Sequence, residues 1–134
     1  MTGPSPVRYL TADEIWAMND GILQQEGGRS VLRNRGALEA VAMRPQTLAH
    51  YEGADLLAQA AGLITGVALN HPFLDGNKRT AAIAGYTFLD LNGWCLAYDG
   101  DEYGRELEAF VVAPDREAAL QALVAWLRSH LVAR

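Results

Sequence analysis

The chain has 134 residues, half of them hydrophobic and a fifth charged, which is the composition of a globular protein. This length suits one domain with its own hydrophobic core, so we expect a single domain over residues 1–134. The formal net charge of -5 argues against a surface built to neutralise nucleic-acid phosphates. We therefore expect no direct nucleic-acid partner.

The cysteine count and the apolar segments indicate the cell compartment. The single cysteine, Cys95, cannot form an internal disulfide, so nothing ties the chain to an oxidising environment. Residues 1–9 contain two prolines and lack the apolar core of a signal peptide. No stretch approaches the roughly 20 apolar residues that span a bilayer. We expect a cytoplasmic protein without a membrane partner.

The first third of the chain predicts two helices. Thr11 and Glu14 have the spacing of a capping box, which starts a helix that ends at Gly27 and Gly28. Residues 29–36 form a polar, arginine-bearing loop.

A short second helix is expected over residues 37–43, which are rich in helix formers. It should stop before Pro45, because proline disrupts a helix interior.

The rest of the chain predicts four more helices. Residues 54–70 carry apolar side chains at steps of three and four, as a central buried helix does, and residues 77–91 follow after a short loop. Residues 94–98 alternate weakly and predict an extended segment, before helices at 103–112 and 115–131. The fold class is therefore all-α, a compact bundle whose central helix-loop-helix is the candidate active site.

The loop between the two central helices gathers the residues that can do chemistry. Residues 71–79 read His-Pro-Phe-Leu-Asp-Gly-Asn-Lys-Arg. A helix N-terminus offers free amides, so Gly76, Asn77 and Lys78 are placed to present backbone N–H groups to a phosphate. Lys78 and Arg79 oppose the helix dipole at a cost of about 0.3–1 kcal/mol each, and a bound polyphosphate would reverse the sign of that effect.

Two residues of this loop have alternative interpretations. Asp75 can hold Mg²⁺ together with substrate phosphates, or it can cap the following helix, and the two roles are compatible. His71 can take a proton from an incoming hydroxyl at neutral pH, although a histidine beside Pro72 is on its own more often a capping or packing residue. Phe73 is expected to turn inward and anchor the loop.

These nine residues resemble the signature of the Fic/Doc family, in which histidine, phenylalanine, an acid, glycine or alanine, and asparagine precede a basic end. The likeness extends less specifically over residues 11–131, where residues 35–39 and Pro45 resemble the family's flap region. Fic enzymes have glycine where Lys78 stands and a second arginine where Ala82 stands. Both differences match the Doc (death-on-curing) branch.

The resemblance implies a role for each residue of the loop. It makes His71 the catalytic base, Asp75 the Mg²⁺ ligand, and Gly76, Asn77, Lys78 and Arg79 the residues that bind the nucleotide phosphates.

In the Doc branch the implied activity is that of a Ser/Thr protein kinase, a toxin that moves the γ-phosphate of ATP to a threonine of elongation factor Tu and arrests translation. The self-inhibiting motif of Fic proteins is not visible, so a Phd-type antitoxin is the expected regulator. Transfer of AMP in the Fic manner remains an alternative, as does a nucleotide- or protein-binding module without turnover. Lys78 favours kinase activity over AMP transfer, because its long cationic side chain would crowd the position where the α- and β-phosphates bind.

Other polar residues have less specific interpretations. His50 and His130 lack neighbours at metal-ligand spacing and are expected at the surface or its boundary, and Cys95 is expected to be a small buried hydrophobe. Four arginines form either solvated charge, which we favour, or a docking edge for an acidic protein: Arg29, Arg33, Arg35 and Arg44.

Overall fold

A computed structural model of the protein describes residues 6–134, which form six α-helices and one small sheet. In chain order the elements are α1 (Ala12–Gln25), α2 (Arg35–Glu52), α3 (Leu56–Asn70), α4 (Asn77–Leu91), β1 (Trp94–Leu96), α5 (Glu102–Val112), α6 (Arg116–Ser129) and β2 (Leu131–Ala133). The all-α prediction is confirmed. Within residues 6–134, no helix is both long and apolar enough to cross a bilayer.

Helix α1 begins at the capping box that its sequence predicts. The Glu14 N–H donates to Thr11 Oγ1 at 3.1 Å, and the Thr11 N–H donates to Glu14 Oε1 at 2.8 Å. Two otherwise unpaired amides at the helix start are thereby satisfied. The helix ends before Gly27, which has a positive φ.

Helix α2 is longer than predicted, because it continues through Pro45 to Glu52. The prediction of a stop before Pro45 is therefore wrong. Asn34 caps the helix by accepting from the Ala37 N–H at 2.9 Å, and Pro45 itself is buried. Burial of the face of α2 that lies against α3 offsets the hydrogen bond that the proline cannot make.

Helix α3 is the centre of the bundle and contacts α2, α4, α5 and α6. Every residue from 60 to 68 is buried, so the prediction of a central helix is confirmed, with its start at Leu56. Helix α4 has the predicted bounds and packs along α3. The candidate site therefore lies at one end of the most deeply buried pair of helices.

The C-terminal part of the chain closes the bundle with a short antiparallel sheet. Trp94 lies opposite Ala133 and Leu96 opposite Leu131, which confirms an extended segment after α4. The last helix ends at Ser129 and not at residue 131 as predicted, because the residues that follow pair with β1.

Candidate active site

His71 ends α3 in a left-handed backbone conformation, with φ 48° and ψ 59°. It is the one non-glycine residue with positive φ among residues 6–134. A left-handed conformation costs an ordinary residue about 1–2 kcal/mol, and a following proline restricts the backbone further. The side chain of His71 is exposed, whereas Pro72 is buried. This strained backbone thus places an accessible imidazole at the first residue of the loop.

Asn77 closes the loop through its side-chain amide. Its Oδ1 accepts from the Phe73 N–H at 3.1 Å, and its Nδ2 donates to the Phe73 carbonyl at 2.8 Å. Phe73 is fully buried, which confirms that its ring anchors the loop. The side-chain amide of Asn77 thus holds the loop, and its backbone N–H is free for a phosphate.

Helix α4 starts at Gly76, which has a φ of 74° and provides no side-chain cap. Asp75 does not cap the helix either, since its Oδ1 accepts only from the neighbouring Gly76 N–H at 3.0 Å, so the capping alternative is wrong. A Cβ atom at position 76 would lie 2.8 Å from Leu23 Cδ2, and only glycine fits this position. Within the described chain, the backbone N–H groups of residues 77–79 have no acceptor, as an anion site requires.

A second loop lies alongside the motif. The Leu74 N–H donates to the Val31 carbonyl at 2.9 Å, and the Pro72 carbonyl accepts from the N–H groups of residues 33 and 34. Residues 35–39, which resemble the family's flap region in sequence, are the first turns of α2. The segment that forms hydrogen bonds with the motif is residues 31–34.

The two cations of the motif pair with carboxylates from other elements. Lys78 pairs with Glu108 of α5, and Arg79 pairs with Glu26, which follows α1. All four side chains are about half exposed, between 48% and 52%. Exposed ion pairs contribute about 0–1 kcal/mol, so a polyphosphate can compete with these carboxylates for the two cations.

Asn19 is a residue of the site that the sequence analysis missed. It is fully buried on α1, and its Nδ2 donates to the Asp75 carbonyl at 2.9 Å and to Thr80 Oγ1 at 3.0 Å. Its Oδ1 accepts from the hydroxyl of Ser30. The available signal was an asparagine four residues after Ile15, on the face of α1 that is otherwise apolar.

The residues present fit a magnesium ion only when the substrate supplies most of the ligands. Within residues 6–134, no cluster of three or more His, Cys, Asp or Glu side chains exists that could hold a metal. Asp75 is exposed, and in the sequence it directly precedes the free amides and the two cations at the start of α4. Mg²⁺ commonly binds through one or two carboxylates together with substrate phosphates and water, and Asp75 meets that requirement.

A cavity of about 720 Å³ lies elsewhere, bordered by β1, α5 and the residue after α6. Its titratable side chains are Tyr86, Cys95, Tyr98, Asp99, Glu102 and His130. None of its described lining residues is a lysine or an arginine, and two are acids, so it is unsuited to a triphosphate. The open surface at the motif instead presents Lys78, Arg79 and the free amides of α4, and it is the better candidate.

Several residues outside the motif lie as their sequence context indicates. His50 is exposed, and His130 is half buried with its ring centre 4.2 Å from that of Trp126. Cys95 is only half buried, so the expectation of a buried cysteine is only partly met. Arg35 pairs with two carboxylates, and the hydrogen bond with Glu39 raises its pKa above the usual arginine value.

Comparison with known proteins gives the same assignment as the motif. A model of the Fic/DOC family matches residues 9–89. The protein named toxin Doc of Mycolicibacterium smegmatis is 44% identical over 79 residues, which are 56% of this chain and 59% of that protein. The protein kinase doc of Escherichia phage P1 is 33% identical over 88 residues, which are 65% of this chain and 70% of that protein. The chain thus spans about three fifths of the length of the first relative.

Proposed function

Because the chain belongs to the Fic/DOC family, we propose that it is a Doc-type toxin that transfers the γ-phosphate of ATP to a protein hydroxyl. The names of the two relatives, one a toxin and one a kinase, support this choice. The observation that carries the proposal is the start of α4. There, the uncapped amides beside Gly76 lie next to Lys78 and Arg79, and an exposed His71 precedes them in the same loop.

The proposed reaction uses each group for one task. The oxygen of the target hydroxyl attacks the γ-phosphorus, and the bond between that phosphorus and the β,γ-bridging oxygen breaks, so ADP leaves. The hydroxyl proton passes to the imidazole of His71. Lys78, Arg79 and the first amides of α4 hold the phosphates, and Asp75 would bind Mg²⁺. When bound, Mg²⁺ neutralises phosphate charge, which is the main demand of phosphoryl transfer.

Lys78 supports attack at the γ-phosphorus. It is the second residue of α4, and Glu108 pairs with it across from α5. A long cationic side chain at this point occupies space that the α- and β-phosphates would otherwise take, and it provides a point charge for the terminal phosphates. A glycine at the same position would leave room for the pose from which AMP is transferred.

Two ATP samples, one labelled at the α- and one at the γ-phosphorus, separate the candidate activities. Each is incubated with the purified protein and a translation extract. The kinase predicts protein labelling from the γ-label alone, whereas AMP transfer would label protein from the α position and overturn the proposal. His71→Ala is the control and should abolish the labelling, because loss of a general base costs about 10²- to 10⁴-fold in rate. ATP binding without labelling would indicate a module that has no turnover.

We propose elongation factor Tu as the target, a threonine as the modified residue, and a Phd-type antitoxin as the partner that holds the toxin inactive. With this target and this partner, the proposed place of action is the cytoplasm. Mass spectrometry of translation factors from cells that express the chain tests the target, because a phosphate and an AMP adduct differ in mass. An unmodified elongation factor Tu in arrested cells would exclude it as the target.

A further inference from the structure

Asn19 joins three separate segments around the motif. Its amide nitrogen donates to the Asp75 carbonyl and to Thr80 Oγ1, and its amide oxygen accepts from the Ser30 hydroxyl. The three partners belong to the motif turn, to α4 and to the loop between α1 and α2. A fully buried amide whose donor and acceptor atoms are all paired is rigid, because any movement would leave a buried polar atom without a partner.

We infer that Asn19 is a positioning residue that fixes the Asp75–Gly76 turn for binding of magnesium and ATP. This inference rests on the proposed phosphoryl transfer. The hydrogen bond holds the main-chain carbonyl of Asp75, the residue whose carboxylate would bind the metal. The next residue, Gly76, begins the helix whose free amides would bind phosphate, and a Cβ there would lie 3.2 Å from Asn19 Nδ2.

Asn19 affects the geometry of the proposed binding groups as well as the stability of the fold. Rotation of the Asp75 carbonyl would move the Asp75 carboxylate and the first amides of α4 together, since they share one short stretch of backbone. Displacement of binding groups by about 1 Å can cost an enzyme about a hundredfold in rate. Loss of the Asn19 donor should therefore weaken binding of MgATP even in a protein that remains folded.

Gln59 provides a matched control at the other end of the bundle. It is also a buried amide, 4% exposed, and its Nε2 donates to the Ala54 carbonyl at 3.1 Å. Its Oε1 accepts from the Tyr9 hydroxyl at 2.8 Å, just as Asn19 accepts from Ser30. Asn19→Asp and Gln59→Glu thus each remove one buried amide donor to a main-chain carbonyl, and only the first of these carbonyls belongs to the motif.

The experiment compares the two variants with the wild-type chain at a temperature where all three are folded. Both variants should lower the melting temperature. We expect Asn19→Asp alone to raise the KM for MgATP by about tenfold to a hundredfold. It alone should also accelerate amide hydrogen exchange at residues 73, 74 and 76, whose N–H groups are hydrogen-bonded in the turn. Equal changes in KM for both variants, or unchanged exchange at these three residues in Asn19→Asp, would show that Asn19 has only a structural role.

The exchange measurement keeps the inference separate from the proposed function. If the wild-type protein neither binds MgATP nor labels any protein, the proposed function fails, whereas the comparison of exchange rates still decides whether Asn19 fixes the turn. If Asn19→Asp does not fold, Asn19→Ser and Gln59→Ser give the same comparison. Serine is neutral, and its hydroxyl is too short to reach the carbonyls that the two amides contact.

Discussion

The backbone of His71 is held in a conformation that a histidine seldom adopts, at the position where the proposed base is needed. Its φ of 48° is the one positive value outside glycine in the part of the chain that the structure describes. Residues in such conformations persist only where their surroundings enforce them, and they concentrate at functional sites. Buried Pro72 and Phe73, which follow directly, provide those surroundings.

His71→Gly and His71→Ala should separate this strain from the chemistry. Glycine adopts a left-handed conformation without penalty, so we expect His71→Gly to be more stable than His71→Ala by about 1 kcal/mol in the free energy of unfolding. Both variants should lose phosphoryl transfer. Urea unfolding together with γ-label incorporation checks the prediction. An alanine variant as stable as the glycine variant would show that the loop relaxes and that the strain is absent.

Single residues of the site were predictable wherever their chemistry is local in sequence. The motif can be recognised without a structure, because its functional groups lie within nine residues at the start of a helix. These groups belong to His71, Asp75, Gly76 and the two cations that follow. Asn19 was not predictable, since its partner Asp75 is 56 residues away. The pairing of Lys78 with Glu108 is hidden for the same reason, at a separation of 30 residues.

At the scale of the elements, α3 and α4 are in close contact where Gly85 faces Ile64. A Cβ atom on Gly85 would overlap the side chain of Ile64 and lie 2.8 Å from the Tyr103 hydroxyl oxygen. Ile64 is fully buried and cannot move aside. A Cβ on Gly62 would instead meet Cδ1 of Leu48, the end of a flexible side chain that is only half buried.

Gly85→Ala is therefore expected to destabilise the protein, whereas Gly62→Ala should be nearly neutral. The overlap at Gly85 should cost about 1–3 kcal/mol in the free energy of unfolding, and it exceeds the gain of about 1 kcal/mol in helix propensity. At Gly62 that gain offsets a small rearrangement of Leu48. Chemical denaturation of both variants measures the difference. If Gly85→Ala is as stable as the wild type, the two helices are less closely packed than the structure indicates.

The elements were predictable where local signals and packing agree. Helix α1 begins with a capping box and α4 follows a glycine. The observed bounds of both helices are close to those that the sequence predicts. Helix α2 was predicted too short because burial against α3 outweighs the local effect of Pro45, and burial is not visible along one segment. The sequence does not predict strand β2, and the predicted last helix includes its first residue, Leu131, because its partner, β1, lies more than 30 residues earlier.

At the scale of the whole molecule, Tyr103 connects the C-terminal helices to the central pair. It is 2% exposed, its hydroxyl donates to the Ala82 carbonyl at 2.9 Å, and its ring stacks on Trp126 of α6. Burial raises the pKa of Tyr103 far above the usual tyrosine value, with a smaller contribution from Tyr98. The folded bundle therefore favours the neutral form of this phenol over the ionised form.

This raised pKa predicts that the free energy of unfolding falls at alkaline pH. Below about pH 10 Tyr103 is neutral in both the folded and unfolded chains, so it gives stability no pH dependence. Above about pH 10 the unfolded chain releases the proton and the folded chain does not, and stability falls by about 1.4 kcal/mol per pH unit for this group. Urea unfolding between pH 9 and 11 should show this slope.

Tyr103→Phe should make the slope smaller, although not abolish it, because burial also raises the pKa of Tyr9. The variant loses the hydrogen bond to the Ala82 carbonyl and should be less stable at pH 7 by about 1–3 kcal/mol. Its disadvantage relative to the wild type must then shrink as the pH rises. Tyr51→Phe alters a ring that is 78% exposed and serves as the control, with the wild-type slope. Parallel stability curves for Tyr103→Phe and wild type would contradict the argument, because they would require Tyr103 to ionise equally in both states.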